Sequence, residues 1–72
     1  IDPKTKLQEY SLKLYKKLPI YKYISNSGPS HKPNFKVSVS IEKSKSFSAI
    51  GSSKKIAETN AAKKLIEYLD IK

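Results

Sequence analysis

The chain has 72 residues, no cysteine, and 15 basic against 6 acidic side chains, for a net charge of +9 and a pI near 9.8. Such a length makes one small domain, near the limit at which a single core suffices. The missing cysteine rules out a disulfide framework or a thiolate metal site and suits a reducing, cytoplasmic setting.

No apolar run approaches the roughly 18–20 residues of a membrane span, and no signal-peptide pattern opens the chain. Lacking an initial methionine, residues 1–72 read as one domain cut from a longer protein or as a processed chain. Every basic residue is a lysine. An excess of this size points to a polyanion, either nucleic acid or an anionic membrane surface. The plainer reading is a heavily solvated lysine surface. Lysine is a compact point charge, better matched to phosphates than to base edges.

Asp2 to Lys17 opens on a cap signal (Asp2, Pro3, Thr5) and continues as a helix. Leu7, Tyr10, Leu14 and Leu18 recur at spacings of three and four and predict one buried stripe. Thr5, Gln8, Glu9 and Leu12 fall together on a second face with no packing role. Pro19 is expected to stop the helix, because a residue preceding proline is pushed out of the α region. Ile20 to Ser25 is aromatic and β-branched and predicts a strand, and Asn26 to Asn34 a loop of nine residues. Phe35, Val37, Val39 and Ile41 then alternate with Lys36, Ser38, Ser40 and Glu42, the pattern of a half-buried strand. Glu42 to Lys45 is a polar turn and Ser46 to Ile50 a third strand, so the pair reads as an antiparallel hairpin.

The last helix runs from Ser53 to about Asp70. Ala57, Ala61, Leu65, Tyr68 and Leu69 share its buried face, widened by Ala62 and Ile66, while Ile56 lies off that face. Small residues near its start would let it approach a neighbour closely. The expected fold is therefore α+β, α-β-β-β-α, with two helices packed on one face of a three-stranded antiparallel sheet.

The start of this helix is electrostatically odd. Ser52 and Ser53 are natural caps, but Lys54 and Lys55 follow, where the helix dipole already places about half a positive charge. Cations stacked there make sense if an anion such as phosphate docks on them.

Catalysis finds little support. One histidine, no cysteine and scattered carboxylates supply no metal cluster and no nucleophile–base set. With glycine only at 28 and 51, there is no phosphate-binding glycine loop. His31 is either an ordinary exposed loop residue or the tip of a loop stiffened by Pro29 and Pro33 that enters a groove; a stiff loop loses less entropy on binding. Tyr10, Tyr21 and Tyr68 are assigned to core packing rather than to base stacking.

Three blocks, DPKTKLQEY (2–10), LPIY…GPSHKPNFKVSV (18–39) and GSSKKIAETNAAKKLIEYL (51–69), together resemble the double-stranded-RNA-binding domain. The DPKT-x-LQE opening is most similar to the version at the C-terminus of bacterial-type ribonuclease III. The resemblance covers essentially the whole chain. It implies that Thr5, Gln8 and Glu9 lie in one minor groove of A-form RNA. The loop of Gly28, Pro29, Ser30, His31 and Lys32 would reach the next, and Ser53, Lys54 and Lys55 would hold phosphates across the major groove between. Such modules span about 16 base pairs and read shape more than sequence.

The resemblance further implies a non-catalytic, cofactor-free module. It would recruit RNA to a nuclease domain outside this chain, in a parent enzyme that uses magnesium and works as a homodimer. Three positions depart from the usual pattern. Glu58 stands where many relatives carry a third lysine, which predicts modest affinity, and Leu12 and Ile56 replace residues that are usually polar. A protein-interaction module or a ribonucleoprotein structural component of the same fold would share much of this pattern. The intact SKK start and GPxH loop favour RNA.

Overall fold

The computed structural model describes residues 2–71. Helix α1 (Pro3–Tyr15) is followed by β1 (Ile20–Ser27), β2 (Asn34–Ser40), β3 (Phe47–Gly51) and helix α2 (Lys54–Leu69). The antiparallel sheet has the order β1-β2-β3. Helix α2 lies across β2 and β3, and α1 packs chiefly against α2. The expected α-β-β-β-α architecture is the one observed.

The core forms where the two hydrophobic periods meet. Val37, Val39 and Ile41 point inward from β2 and its end, Ala49 from β3, and Leu7 from α1. Ala57, Ala61, Ala62 and Leu65 close it from α2, and all four are fully buried. Three alanines in succession along one face bring the α2 backbone close to the sheet, as their small volume predicts.

The first helix departs from expectation at its C-terminal end. It stops at Tyr15, where Lys16 adopts a left-handed conformation (φ 58°) and its N–H donates to the Leu12 carbonyl at 3.0 Å. Pro19 therefore lies beyond the stop rather than causing it. The buried residues of α1 are Leu7 and Ser11, with Tyr10 and Tyr15 packed at the core margin. Leu14 and Leu18 are 51% and 60% exposed. Leu14 lies one residue from the end of the helix, and Leu18 lies outside it, so the predicted stripe runs out of partner. Ser11 is tolerated at its fully buried position because its hydroxyl donates to the Lys17 carbonyl at 2.5 Å, which also folds the chain back over the helix end.

Strand β1 is two residues longer than its composition suggests. Asn26 pairs with Phe35 and Ser27 with Asn34, past a bulge between Tyr23 and Ser25. Backbone pairing is indifferent to the polarity of these side chains, so the nine-residue loop contracts to residues 28–33. Tyr68 is also displaced from its expected burial. It is half-exposed and lays its ring against Phe47, with centroids 5.0 Å apart.

Candidate nucleic-acid interface

The α2 start is built as its serine predicts. Ser53 is extended (φ −143°, ψ 164°), and its hydroxyl accepts from the Ile56 N–H at 3.1 Å. Gly51 lets β3 deliver the chain there. A Cβ at this position would come within 2.5 Å of the Ala57 nitrogen and 2.7 Å of Ile56 Cγ2. The off-face Ile56 thus covers the glycine that ends the strand. Lys54 and Lys55 are exposed, no acid occupies the first turn, and neither lysine has a carboxylate partner among the described residues. The electrostatic oddity of the sequence persists in the folded chain.

Lys54 instead has an aromatic neighbour. Its ammonium stands 4.6 Å from the centroid of the Tyr23 ring on β1, and Tyr23 leans on Phe35 of β2 at 6.4 Å. The helix start is thereby coupled to the hairpin that carries the 28–33 loop. Tyr23 remains 51% exposed. No local spacing in the sequence links this tyrosine to Lys54, which comes from a different element.

The loop is shaped by backbone geometry. Gly28 has φ 89°, a left-handed conformation, and a Cβ there would meet the Lys32 carbonyl oxygen at 2.8 Å. The Lys32 N–H donates to the Pro29 carbonyl at 2.9 Å, closing a turn with Ser30 and His31 at its centre. Gly28, Pro29, Ser30, His31 and Lys32 are all exposed. None of their side chains hydrogen-bonds to either helix among the described residues.

On α1, Thr5, Gln8, Glu9 and Leu12 are all solvent-exposed, as their shared face predicts. The Thr5 hydroxyl donates to Asp2 Oδ2 at 3.3 Å across the helix start. Gln8 also borders a groove of about 220 Å³ formed with Lys4, Leu18, Pro19 and Tyr21. One turn behind the paired lysines, Glu58 accepts from the Lys4 ammonium at 2.5 Å, bridging α2 to α1. The Tyr21 phenol is buried without a hydrogen-bond partner among the described residues. Burial first, then the nearby Glu58 and Asp2 carboxylates, push its pKa up to about 12. No sequence signal joins Lys4 to Glu58, because the pair is separated by 54 positions.

The first two turns of α2 therefore connect to both other candidate regions, through Lys54 to the hairpin and through Glu58 to α1. All three regions are carried by one small α-β-β-β-α domain. Residues 3–69 match the family described as the double-stranded RNA binding motif, and the chain belongs to that family.

Among curated relatives, it is 68% identical over 62 residues to the Ribonuclease 3 of Pelagibacter ubique (strain HTCC1062), covering 86% of this chain and 28% of that protein. The Ribonuclease 3 of Anaplasma marginale (strain Florida) is 48% identical over 68 residues, covering 94% of this chain and 29% of that protein. The chain thus spans less than a third of the length of these two relatives. Its fold superposes on a structure of Arabidopsis HYL1, reported with its implications for miRNA processing. That match has a TM-score of 0.78 and 34% identity, covering 94% of this chain and 96% of the other.

Proposed function

We propose that this chain binds A-form double-stranded RNA by shape, through three regions. Thr5, Gln8 and Glu9 of α1 enter one minor groove, and the Gly28–Lys32 loop, tipped by His31, enters the next. Ser53, Lys54 and Lys55 hold phosphates across the major groove between. The observation that carries this reading is the capped α2 start, whose two exposed lysines have no carboxylate partner among the described residues. A helix N-terminus with added cations is an anion site, and the family match makes the RNA backbone the anion of choice.

The module belongs, in this proposal, to a ribonuclease III-type parent and recruits substrate to its nuclease domain. Magnesium, homodimerisation and a cytoplasmic location go with that parent. Among the described residues there is no group of three or more His, Cys, Asp or Glu that could hold a metal ion. Nor is any described helix long and apolar enough to cross a membrane.

The test is competition between duplex RNA, duplex DNA and single strands, paired with the Lys54→Ala/Lys55→Ala variant in a gel shift. Preference for duplex RNA and a sharp loss in the variant are expected, on a duplex longer than the site of about 16 base pairs. Equal affinity for duplex DNA, or a variant within about twofold of the parent, refutes the reading.

A further inference from the structure

Resting on the RNA-binding reading above, we propose that Glu58 and Lys4 form a positioning pair. Their bridge fixes the α1 contact face relative to the lysines of α2, so that Glu58 strengthens RNA binding although its charge repels RNA.

The argument begins with what holds α1. This helix packs chiefly on α2 rather than on the sheet, and only Leu7 and Ser11 of its side chains are fully buried. Leu7 anchors it to the core, and Ser11 is tied to the chain's own return at Lys17. Near its N-terminus, the Lys4–Glu58 bridge is the ion pair that joins it to α2 among the described residues. Both side chains are about one-third exposed, partly withdrawn from water. The Lys4 ammonium also lies 5.3 Å from the Tyr21 ring centroid, so its position is constrained from two sides. Lys4 is adjacent in sequence to Thr5 and lines the same groove as Gln8. Displacing Lys4 therefore displaces the proposed minor-groove residues.

The partner choice of Glu58 is informative. Glu58 follows Lys54 by four residues, the spacing at which helix side chains of opposite charge pair. Its carboxylate goes to Lys4 instead, and Lys54 turns to Tyr23. The acid is thereby spent between the helices and does not neutralise the exposed lysines. An A-form duplex is stiff and presents its grooves at set intervals, so a protein reading shape gains from contact regions held at matching intervals.

This assignment has a sign that charge alone contradicts. Glu58→Gln raises the net charge by one and, on electrostatics alone, would tighten RNA binding. The positioning role predicts the reverse, a loss of about 3–10-fold on a duplex of about 20 base pairs. Lys4→Met should lose a similar factor, the double variant Lys4→Met/Glu58→Gln should be no worse than either single change, and Lys4→Arg should restore binding. On a duplex of about 10 base pairs, too short to engage all the regions together, the loss should shrink. Circular dichroism at the assay temperature verifies that each variant is folded, and any lost fold would affect both duplexes alike. Tighter or unchanged binding by Glu58→Gln, additive losses in the double variant, or equal losses on both duplexes would overturn the proposal. If the unmodified chain shows no preference for duplex RNA, the RNA reading itself fails; if it binds and Glu58→Gln binds equally, only the positioning pair fails.

Discussion

The Lys54 ammonium lies 4.6 Å from the centre of the Tyr23 ring, across the gap between the second helix and the first strand. A cation over an aromatic face is attracted by the ring quadrupole, worth roughly 0.5–1 kcal/mol at an exposed site. The contact restricts a long side chain that would otherwise sample many rotamers. It does so without a counter-charge, so the ammonium keeps its charge available to an anion.

Replacing Tyr23 by leucine should therefore weaken duplex-RNA binding by about 2–5-fold, the equivalent of losing one such contact. Thermal stability should change little, because half the ring is already in water. A titration with fluorescent duplex, alongside a melting curve, checks both. Unaltered affinity would show that the ring does not restrain the lysine.

Salt dependence reports how many phosphates the lysines meet. Each lysine–phosphate contact releases condensed counterions, contributing about 0.9 to the slope of log affinity against log salt. Lys54→Ala/Lys55→Ala should thus reduce the slope by about two. Identical slopes for the two proteins would mean that these lysines do not touch the backbone.

The Ser53 cap is a stability prediction. Its hydroxyl satisfies the Ile56 N–H, and losing such a cap costs about 1 kcal/mol. For a domain this small that corresponds to a fall in Tm of about 4–8 °C. Ser53→Asp should keep the cap and oppose the dipole favourably, yet weaken RNA binding by placing an anion beside Lys54. Stability and affinity would then move in opposite directions.

Tyr21 makes a pH prediction. Its phenol is raised from the ordinary 10.0 to about 12, by burial first. The folded chain holds this proton more tightly than the unfolded chain. The resulting stability is fully present below pH 10.0 and is lost as pH rises through about 12. Tyr21→Phe should remove this part of the alkaline destabilisation. At neutral pH it should lie within about 1 kcal/mol of the parent, because the buried hydroxyl has no partner to lose. Denaturant melts at neutral and alkaline pH compare the two; a large neutral-pH loss would reveal a hydrogen bond that the structure lacks.

Much of the fold was legible along the chain because its elements obey local rules. Alternation from Phe35 to Ile41 placed Val37 and Val39 inside, and the Ala57, Ala61, Leu65 spacing placed the inner face of α2. Ser53 announced its cap. Errors fell where a local rule met a tertiary boundary. Leu14 and Leu18 continued an apolar stripe beyond the point at which Lys16 turned the chain. Asn26 and Ser27 looked like loop but found backbone partners across the hairpin.

The candidate interface divides in the same way. Composition and the SSKK start were enough to demand an anion, and helical spacing was enough to leave Thr5, Gln8 and Glu9 without a core role. Those are properties of residue type and period, and they survive in any context that preserves the elements. Which acid pairs with which lysine is different, because it depends on the packing of two helices that lie at opposite ends of the sequence and meet only in the fold. Only the packed structure sends Glu58 to Lys4 rather than to Lys54, and only it brings Tyr23 beneath Lys54. Charge and periodicity determined that this chain should meet a polyanion; tertiary packing decided which lysines are left free to meet it.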